Sequence, residues 1–107
     1  NSHIENNLVG VFVSFGKAAI MNSHLFRNTT AGLDVNGASP SVMISNSNLS
    51  FNGRGLRTGG GATVRMTHLD IAFNTVFAWE NTGGVIQTHV DNRSIAAGSG
   101  ALTPVVF

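Results

Sequence analysis

Short apolar-x-apolar pairs recur along the chain, each followed by a polar triplet, one apolar residue and, three positions later, an asparagine. The clearest copy is VMISNSNLSFNGRGL, residues 42–56. Equivalent residue types recur 22 residues later, 24 residues earlier and a further 21 residues back. Because one unit of this size cannot bury an apolar face alone, such a period predicts a solenoid.

Each apolar pair, such as Val42/Ile44 or Val64/Met66, alternates with polar residues, which is the period of a strand with one buried face. No segment keeps a helical spacing for long, and Gly, Asn or Ser separates the strands. The chain is therefore predicted to be all-β, with stacked parallel coils about 4.8 Å apart. The spacing indicates about 4–5 coils of 21–24 residues.

The repeated asparagines are predicted to form a structural ladder inside the coils. Equivalent side chains of stacked coils lie above one another, so an amide can hydrogen-bond to the next coil. Asparagine also tolerates a left-handed backbone, which places a coil corner at these positions. The predicted ladder consists of Asn7, Asn28, Asn52 and Asn74.

A fifth pass is predicted to begin at Val85, because THVD at 88–91 matches THLD at 67–70 at an offset of 21. The repeat is lost soon afterwards. We therefore divide the chain into β-helix coils at 1–94 and a C-terminal tail or cap at 95–107, since the terminal units of solenoids are atypical.

The first residues, NSHIENN, already match a later repeat, so the first coil is predicted to expose an open strand edge. Pairing with a second copy across a two-fold axis would cover that edge. We therefore expect a homo-oligomer, most simply a homodimer, formed through the N-terminal coil. We also expect the chain to be the C-terminal part of a longer protein.

The composition argues against several classes of partner for this chain. The net charge is +1 and the six basic residues are scattered, which gives no case for nucleic acid. No apolar run approaches the roughly 20 residues that a membrane helix needs, so no membrane span is expected. The absence of Cys excludes disulfides and thiolate metal sites.

The repeat ISNSNLSFNGRGL, residues 44–56, resembles the coils of the right-handed parallel β-helix of the pectin-lyase-like superfamily. The ending VIQTHVDNRSIAAGSG, residues 85–100, is similar to the C-terminal coil of uncharacterised bacterial β-helix proteins. The resemblance covers residues 1 to about 94 and implies an extracellular, cell-surface or periplasmic location. A leucine-rich repeat fits less well, because the Leu it requires five residues before the Asn is present only as Leu69.

The histidines invite a ligand or metal hypothesis, because the repeat aligns them in two columns. Imidazole and carboxylate groups on adjacent coils can share Zn²⁺ or Cu²⁺, although a closed site needs three or four ligands. Hydrogen-bonded corner residues are the simpler interpretation, and no cofactor is predicted. The candidate residues are His3, His24, Asp70 and Asp91 in one column, with Asn48, and His68 and His89 in the other.

Other charged and aromatic residues were assigned from the same alignment. Asp34 and Arg57 share a column, interpreted as an outward-facing surface ion pair that Glu80 can join. Of two registers available for Trp79, the one that buries it is preferred, because the other would bury the carboxylate of Glu80.

Catalysis is not expected. The resemblance implies NTD, DD, GHG and RIK motifs for polygalacturonase-like enzymes, and none occurs in this sequence. Asp70 and Asp91 are the stacked acids, and they are predicted at a corner rather than in a groove. The sequence thus favours a structural or surface-interaction module, with polysaccharide as a candidate ligand. The alternative is a fragment of a polysaccharide lyase or glycoside hydrolase.

Overall fold

A computed structural model describes residues 2–89, 93–94 and 103–105 of the chain, and this part contains strands and no helix. The strands are β1 (His3–Glu5), β2 (Val9–Val13), β3 (Lys17–Met21), β4 (His24–Phe26), β5 (Ala31–Gly37), β6 (Ser41–Ser50), β7 (Arg54–Gly60), β8 (Thr63–Ala72), β9 (Phe77–Asn81), β10 (Val85–His89), β11 (Arg93–Ser94) and β12 (Thr103–Val105).

All strand pairs are parallel and form a β-solenoid of about four turns. One sheet contains β1, β4, β6, β8, β10 and β12, with β3 beside β6 and β11 beside β8. We call it sheet A. The other, sheet B, has the order β2-β5-β7-β9. The predicted all-β coil architecture is confirmed.

The strand register confirms the spacings that define the first four coils. Ala18 lies opposite Val42, and Val42 lies opposite Val64, at the predicted offsets of 24 and 22. Ile4 lies opposite Leu25 at the predicted offset of 21. These columns point inward and form the apolar core, in which Leu25, Leu33, Ile44, Leu49, Leu56, Val64 and Ile86 are fully buried.

The predicted register of the fifth pass is wrong by one residue. Thr88 lies opposite Met66 rather than Thr67, so the offset is 22. Ile86 thereby joins the buried column beneath Val64, and Val85 is left exposed. A slip of one residue would exchange these two side chains, and burial of the larger apolar residue decides the register.

Left-handed backbone conformations of non-glycine residues mark two corners of the coils. One corner lies at Asn46 and His68, with φ of 48° and 52°, and divides sheet A into two arms. The first arm contains β3, β10 and the residues of β6 and β8 that precede this corner. The second arm contains β1, β4, β11 and the residues of β6 and β8 that follow it. The second corner lies at Phe51 and Phe73, with φ of 58° and 57°. The prediction that the ladder asparagines occupy this corner is wrong, because the left-handed residue immediately precedes each of them.

The asparagine side chains connect successive coils. Asn28 Nδ2 donates to Asn52 Oδ1 at 3.0 Å, and Asn28 N donates to the same oxygen at 2.9 Å. Asn52 N donates to Asn74 Oδ1, and Asn52 Nδ2 donates to the carbonyl of Leu25, both at 2.9 Å. Asn28, Asn52 and Asn74 are buried, whereas Asn7 is exposed. The amides thus satisfy backbone groups inside the corner, where water cannot reach them.

Small residues of sheet B face this row of amides. A Cβ added at Gly32 would lie 2.8 Å from Asn52 Nδ2, and one at Gly55 would lie 2.9 Å from Asn74 Nδ2. The equivalent position in the next coil is Ala78, beyond Asn74. Glycine therefore occurs where the backbone must approach a ladder amide closely.

Gly32→Ala is expected to lower the free energy of unfolding by about 1–3 kcal/mol, because the new methyl group would displace the Asn52 amide. Ala78→Gly, at the equivalent position of the next coil, should lower it by about 1–2 kcal/mol through backbone entropy and the loss of a buried methyl group. Urea denaturation of both variants provides the measurement. A Gly32→Ala variant as stable as the unmodified chain would show that the glycine position carries no special steric demand.

The remaining fold predictions have mixed outcomes. Trp79 is half-buried and packs against the core, with Glu80 opposite Arg57, as the preferred register requires. The tail predicted at 95–107 lies outside the described residues, except that Thr103–Val105 pair with β10. In the part of the chain that the structure describes, no helix is long and apolar enough to cross a membrane.

Candidate functional site

The second arm of sheet A carries an outward column of polar side chains. His3 lies opposite His24, His24 opposite Asn48, and Asn48 opposite Asp70. These positions face outward because the intervening residues, Leu25 and Leu49 among them, point into the core. The sequence predicted this column correctly up to Asp70.

The fifth member of the column was predicted incorrectly. Arg93, not Asp91, lies opposite Asp70, because the offset there is 23 rather than 21. The side chain of His89 and the whole of Asp91 lie outside the described residues. This register does not place Asp91 opposite Asp70, as the predicted stack of two carboxylates requires.

An open concavity of about 430 Å³ brings the two predicted columns together. The left-handed corner turns Asn46 and His68 towards the arm that carries the outward column. Asp70 therefore lines a depression, which corrects the expectation that it lies at a corner away from any groove. The lining residues are His24, Asn46, Ser47, Asn48, His68, Leu69 and Asp70.

The lining offers hydrogen-bonding groups of several kinds. Two imidazoles, two amides and one carboxylate provide both donors and acceptors. The amide oxygen of Asn48 is shielded from solvent and accepts no hydrogen bond from the described residues. Asp70 is the single carboxylate among the lining residues, whereas glycoside hydrolysis needs a pair. The arrangement suits recognition of hydroxyl groups.

His3 and His24 stack face to face, with ring centroids 5.0 Å apart and ring planes at 12°. Imidazole lone pairs lie in the ring plane, so stacked rings direct them side by side rather than to one point. A shared Zn²⁺ would need both nitrogens about 2.0–2.1 Å away. The described residues contain no group of three His, Cys, Asp or Glu side chains that could hold a metal.

Addition of Zn²⁺ or Cu²⁺ is expected to leave the melting temperature unchanged, as is addition of a chelator. A metal that binds only the folded chain would raise it by mass action. Differential scanning calorimetry with and without metal provides the measurement, with His24→Ala as the control. A rise that disappears in His24→Ala would establish a metal site at the histidine stack.

The outer face of sheet B carries a second group of charged residues. Arg57 Nη2 donates to Asp34 Oδ2 at 2.6 Å, and its Nε donates to the same oxygen at 3.2 Å. The predicted ion pair between Asp34 and Arg57 is confirmed, but Asp34 is only 2% exposed, so the prediction that it lies at the surface is wrong. The longer arginine covers the carboxylate on the neighbouring coil. Glu80 is paired with Arg54 at 2.7 Å rather than with Arg57.

The hydrogen bonds that the Arg57 guanidinium donates to Asp34 raise the pKa of the guanidinium above its usual value, against the opposing effect of burial. Because the pKa of Arg57 is higher in the folded than in the unfolded chain, the charged guanidinium stabilises the fold at every pH below its unfolded-state pKa. This stabilisation is lost only in strong alkali. Arg57 therefore stays charged and keeps Asp34 paired. This cluster supports the fold rather than a binding site.

The sequence did not predict a second concavity, on the first arm of sheet A. Its volume is about 300 Å³, and its polar lining consists of Lys17, Ser41, Thr63, Arg65 and Gln87. Neighbouring members of this set are either two residues apart on one strand or opposite each other on adjacent coils. The alignment of the repeats could therefore have grouped them. The charges were scattered along the sequence and did not suggest a common site.

The chain matches no known family model, no curated protein and no solved structure.

Proposed function

We propose that this chain is a non-catalytic surface-interaction module that binds a polysaccharide through the concavity at His24, Asn48 and Asp70. The observation that carries the proposal is the convergence of imidazole, amide and carboxylate groups in one open depression. Sugar hydroxyls both donate and accept hydrogen bonds, so they match a mixed lining of this kind.

The shape of the solenoid favours a polymer over a small molecule. Successive coils place His3, His24, Asn48 and Asp70 along a line with a spacing of about 4.8 Å. The concavity is open, so a chain can lie along it without threading. The resemblance of the repeat to the pectin-lyase-like superfamily supports an exported protein that meets polysaccharide outside the cytoplasm.

A panel of acidic and neutral polysaccharides tests the proposal. Calorimetry reports binding, absorbance of unsaturated product reports lyase cleavage, and newly formed reducing ends report hydrolysis. Binding without product is expected. His24→Ala and Asp70→Asn should each weaken binding about tenfold. The first removes a side chain that can hydrogen-bond to a sugar hydroxyl, and the second replaces a charged acceptor with a neutral amide. Asn36→Ala, on the exposed face of sheet B, should leave affinity unchanged.

Formation of product that Asp70→Asn abolishes would favour the alternative, a fragment of a polysaccharide lyase or glycoside hydrolase. The absence of binding to every polysaccharide in the panel would overturn the proposal. The Asn36→Ala control separates loss of the site from a general effect on the fold.

We further propose that the N-terminal coil mediates self-association. In the part of the chain that the structure describes, β1, β2 and β3 each pair on one side only. Leu8, Phe12 and Phe15 are exposed on the same coil, with 69%, 59% and 84% of their surface accessible. An unpaired edge flanked by apolar side chains favours pairing with another strand edge.

A homodimer through this coil is the expected state at micromolar concentration. Phe12→Lys should shift the population to monomer, because it introduces two like charges across a two-fold interface. Light scattering measures the mass, and Phe73→Lys, an exposed aromatic on a later coil, is the control. A mass of 11.2 kDa for the unmodified chain would contradict the proposal.

A further inference from the structure

The lysine and arginine side chains that the structure describes differ in whether a carboxylate lies within ion-pair distance. Arg27, Arg54 and Arg57 each have a carboxylate within ion-pair distance, namely Glu5, Glu80 and Asp34. Lys17 and Arg65 have no such carboxylate among the described residues, yet both line the second concavity. Lys17 and Arg65, which have no counter-charge among the described residues, thus share one depression.

The geometry allows both cations to reach one ligand group. Lys17 is opposite Ser41, which is opposite Thr63, two residues before Arg65. The two side chains therefore start about 10 Å apart along the solenoid axis, with Ser41 on the coil between them and Thr63 beside Arg65 on the same strand. Both are exposed, and long flexible stems let their charged ends converge over the hydroxyls.

Gln87 orients the arginine. Arg65 Nε donates to Gln87 Oε1 at 3.2 Å, which leaves the two terminal nitrogens of the guanidinium for a ligand. A planar guanidinium matches the two oxygens of a carboxylate or sulfate. The lining contains no carboxylate that would repel an anion.

We propose that this second concavity, bounded by Lys17, Arg65 and Gln87, binds an oxyanion, a carboxylate or sulfate group, with Ser41 and Thr63 as additional donors. The site lies on the outer face of the same sheet as the histidine concavity but shares no lining residue with it. It therefore does not depend on the proposed polysaccharide site.

Titration with inorganic sulfate at constant ionic strength, followed by NMR, tests the site. The Arg65 side-chain Nε–H resonance and the amides of residues 41–43 and 63–65 are expected to shift together and to saturate. The double variant Lys17→Ala/Arg65→Gln should weaken binding at least about tenfold, through loss of two charge-assisted contacts. Arg27→Gln removes an exposed cation outside this concavity and should leave the affinity within about twofold.

The source of the anion is distinguished by further titrations with a uronate monosaccharide and a sulfated polysaccharide. Affinity for the polymer well above that for sulfate assigns the site to an anionic group on a polymer, and equal affinity per charge assigns it to a free anion. Shifts that persist in the double variant, or that weaken equally in Arg27→Gln, would overturn the inference. Binding of a neutral polysaccharide, lost in Asp70→Asn, reports only on the histidine concavity.

Discussion

Asn52→Leu is expected to lower the free energy of unfolding by about 3–5 kcal/mol, the largest effect among the single substitutions considered. The side chain of Asn52 serves three partners: the backbone and side-chain nitrogens of Asn28, and the carbonyl of Leu25. Leucine has a similar volume but no polar atoms, so these buried groups would lose their partners at about 1–3 kcal/mol each.

Chemical denaturation followed by circular dichroism provides the measurement. Asn7→Leu is the matched control, because Asn7 holds the equivalent position in the first coil and is exposed. Its substitution should change stability by less than about 1 kcal/mol. If the two variants lose the same amount, the buried ladder does not stabilise the coils in the way the hydrogen bonds indicate.

Arg57→Leu is expected to lower the free energy of unfolding by about 2–4 kcal/mol. It would leave Asp34, which is buried, without the guanidinium that donates two hydrogen bonds to it. A buried carboxylate that loses its counter-charge is strongly destabilising, and the partial exposure of Arg57 reduces the effect.

The double variant Asp34→Leu/Arg57→Leu tests whether the loss of stability comes from the unpaired charge of Asp34. It should recover most of the loss, because apolar residues can replace a buried ion pair without leaving a charge unpaired. Arg27→Leu is the control for an exposed ion pair, and should change stability by about 0–1 kcal/mol. A double variant no more stable than Arg57→Leu would argue against an uncompensated charge at Asp34.

The first four coils could be predicted from sequence because parallel stacking forces equivalent residues into register. The columns through Val42 and Val64, and the outward column from His24 to Asp70, follow directly from offsets of 24 and 22. The packing of Trp79 against the core also followed, although the side chain is only half-buried, since the alternative register placed a carboxylate inside.

The register of the fifth coil was predicted incorrectly because it was set by a local sequence match. THVD resembles THLD, but inward positions are decided by which apolar residue the core can accept, and Ile86 takes that position rather than Val85. Alternation of Val85 and Ile86 with their neighbours does not decide between the two registers, because both residues are apolar and adjacent.

The sites themselves depended on contacts between coils that a linear pattern does not show. The burial of Asp34 follows from the reach of Arg57 on the next coil, and the second concavity follows from Lys17 and Arg65, 48 residues apart in the chain. The glycines that face the ladder can be recognised in the sequence by their spacing from the ladder asparagines. Gly10, Gly32 and Gly55 each follow a ladder asparagine by three or four residues.

Mapping of amide chemical shifts during titration with polysaccharide fragments tests the proposed function most directly. The account predicts that a binding fragment perturbs residues 46–48 and 68–70 together with His24, and that Asp70→Asn requires about tenfold more fragment to produce the same shifts. The exposed face of sheet B, including Asn36, should be unaffected. Perturbations centred on sheet B, or none at the histidine concavity with a fragment that binds, would contradict it.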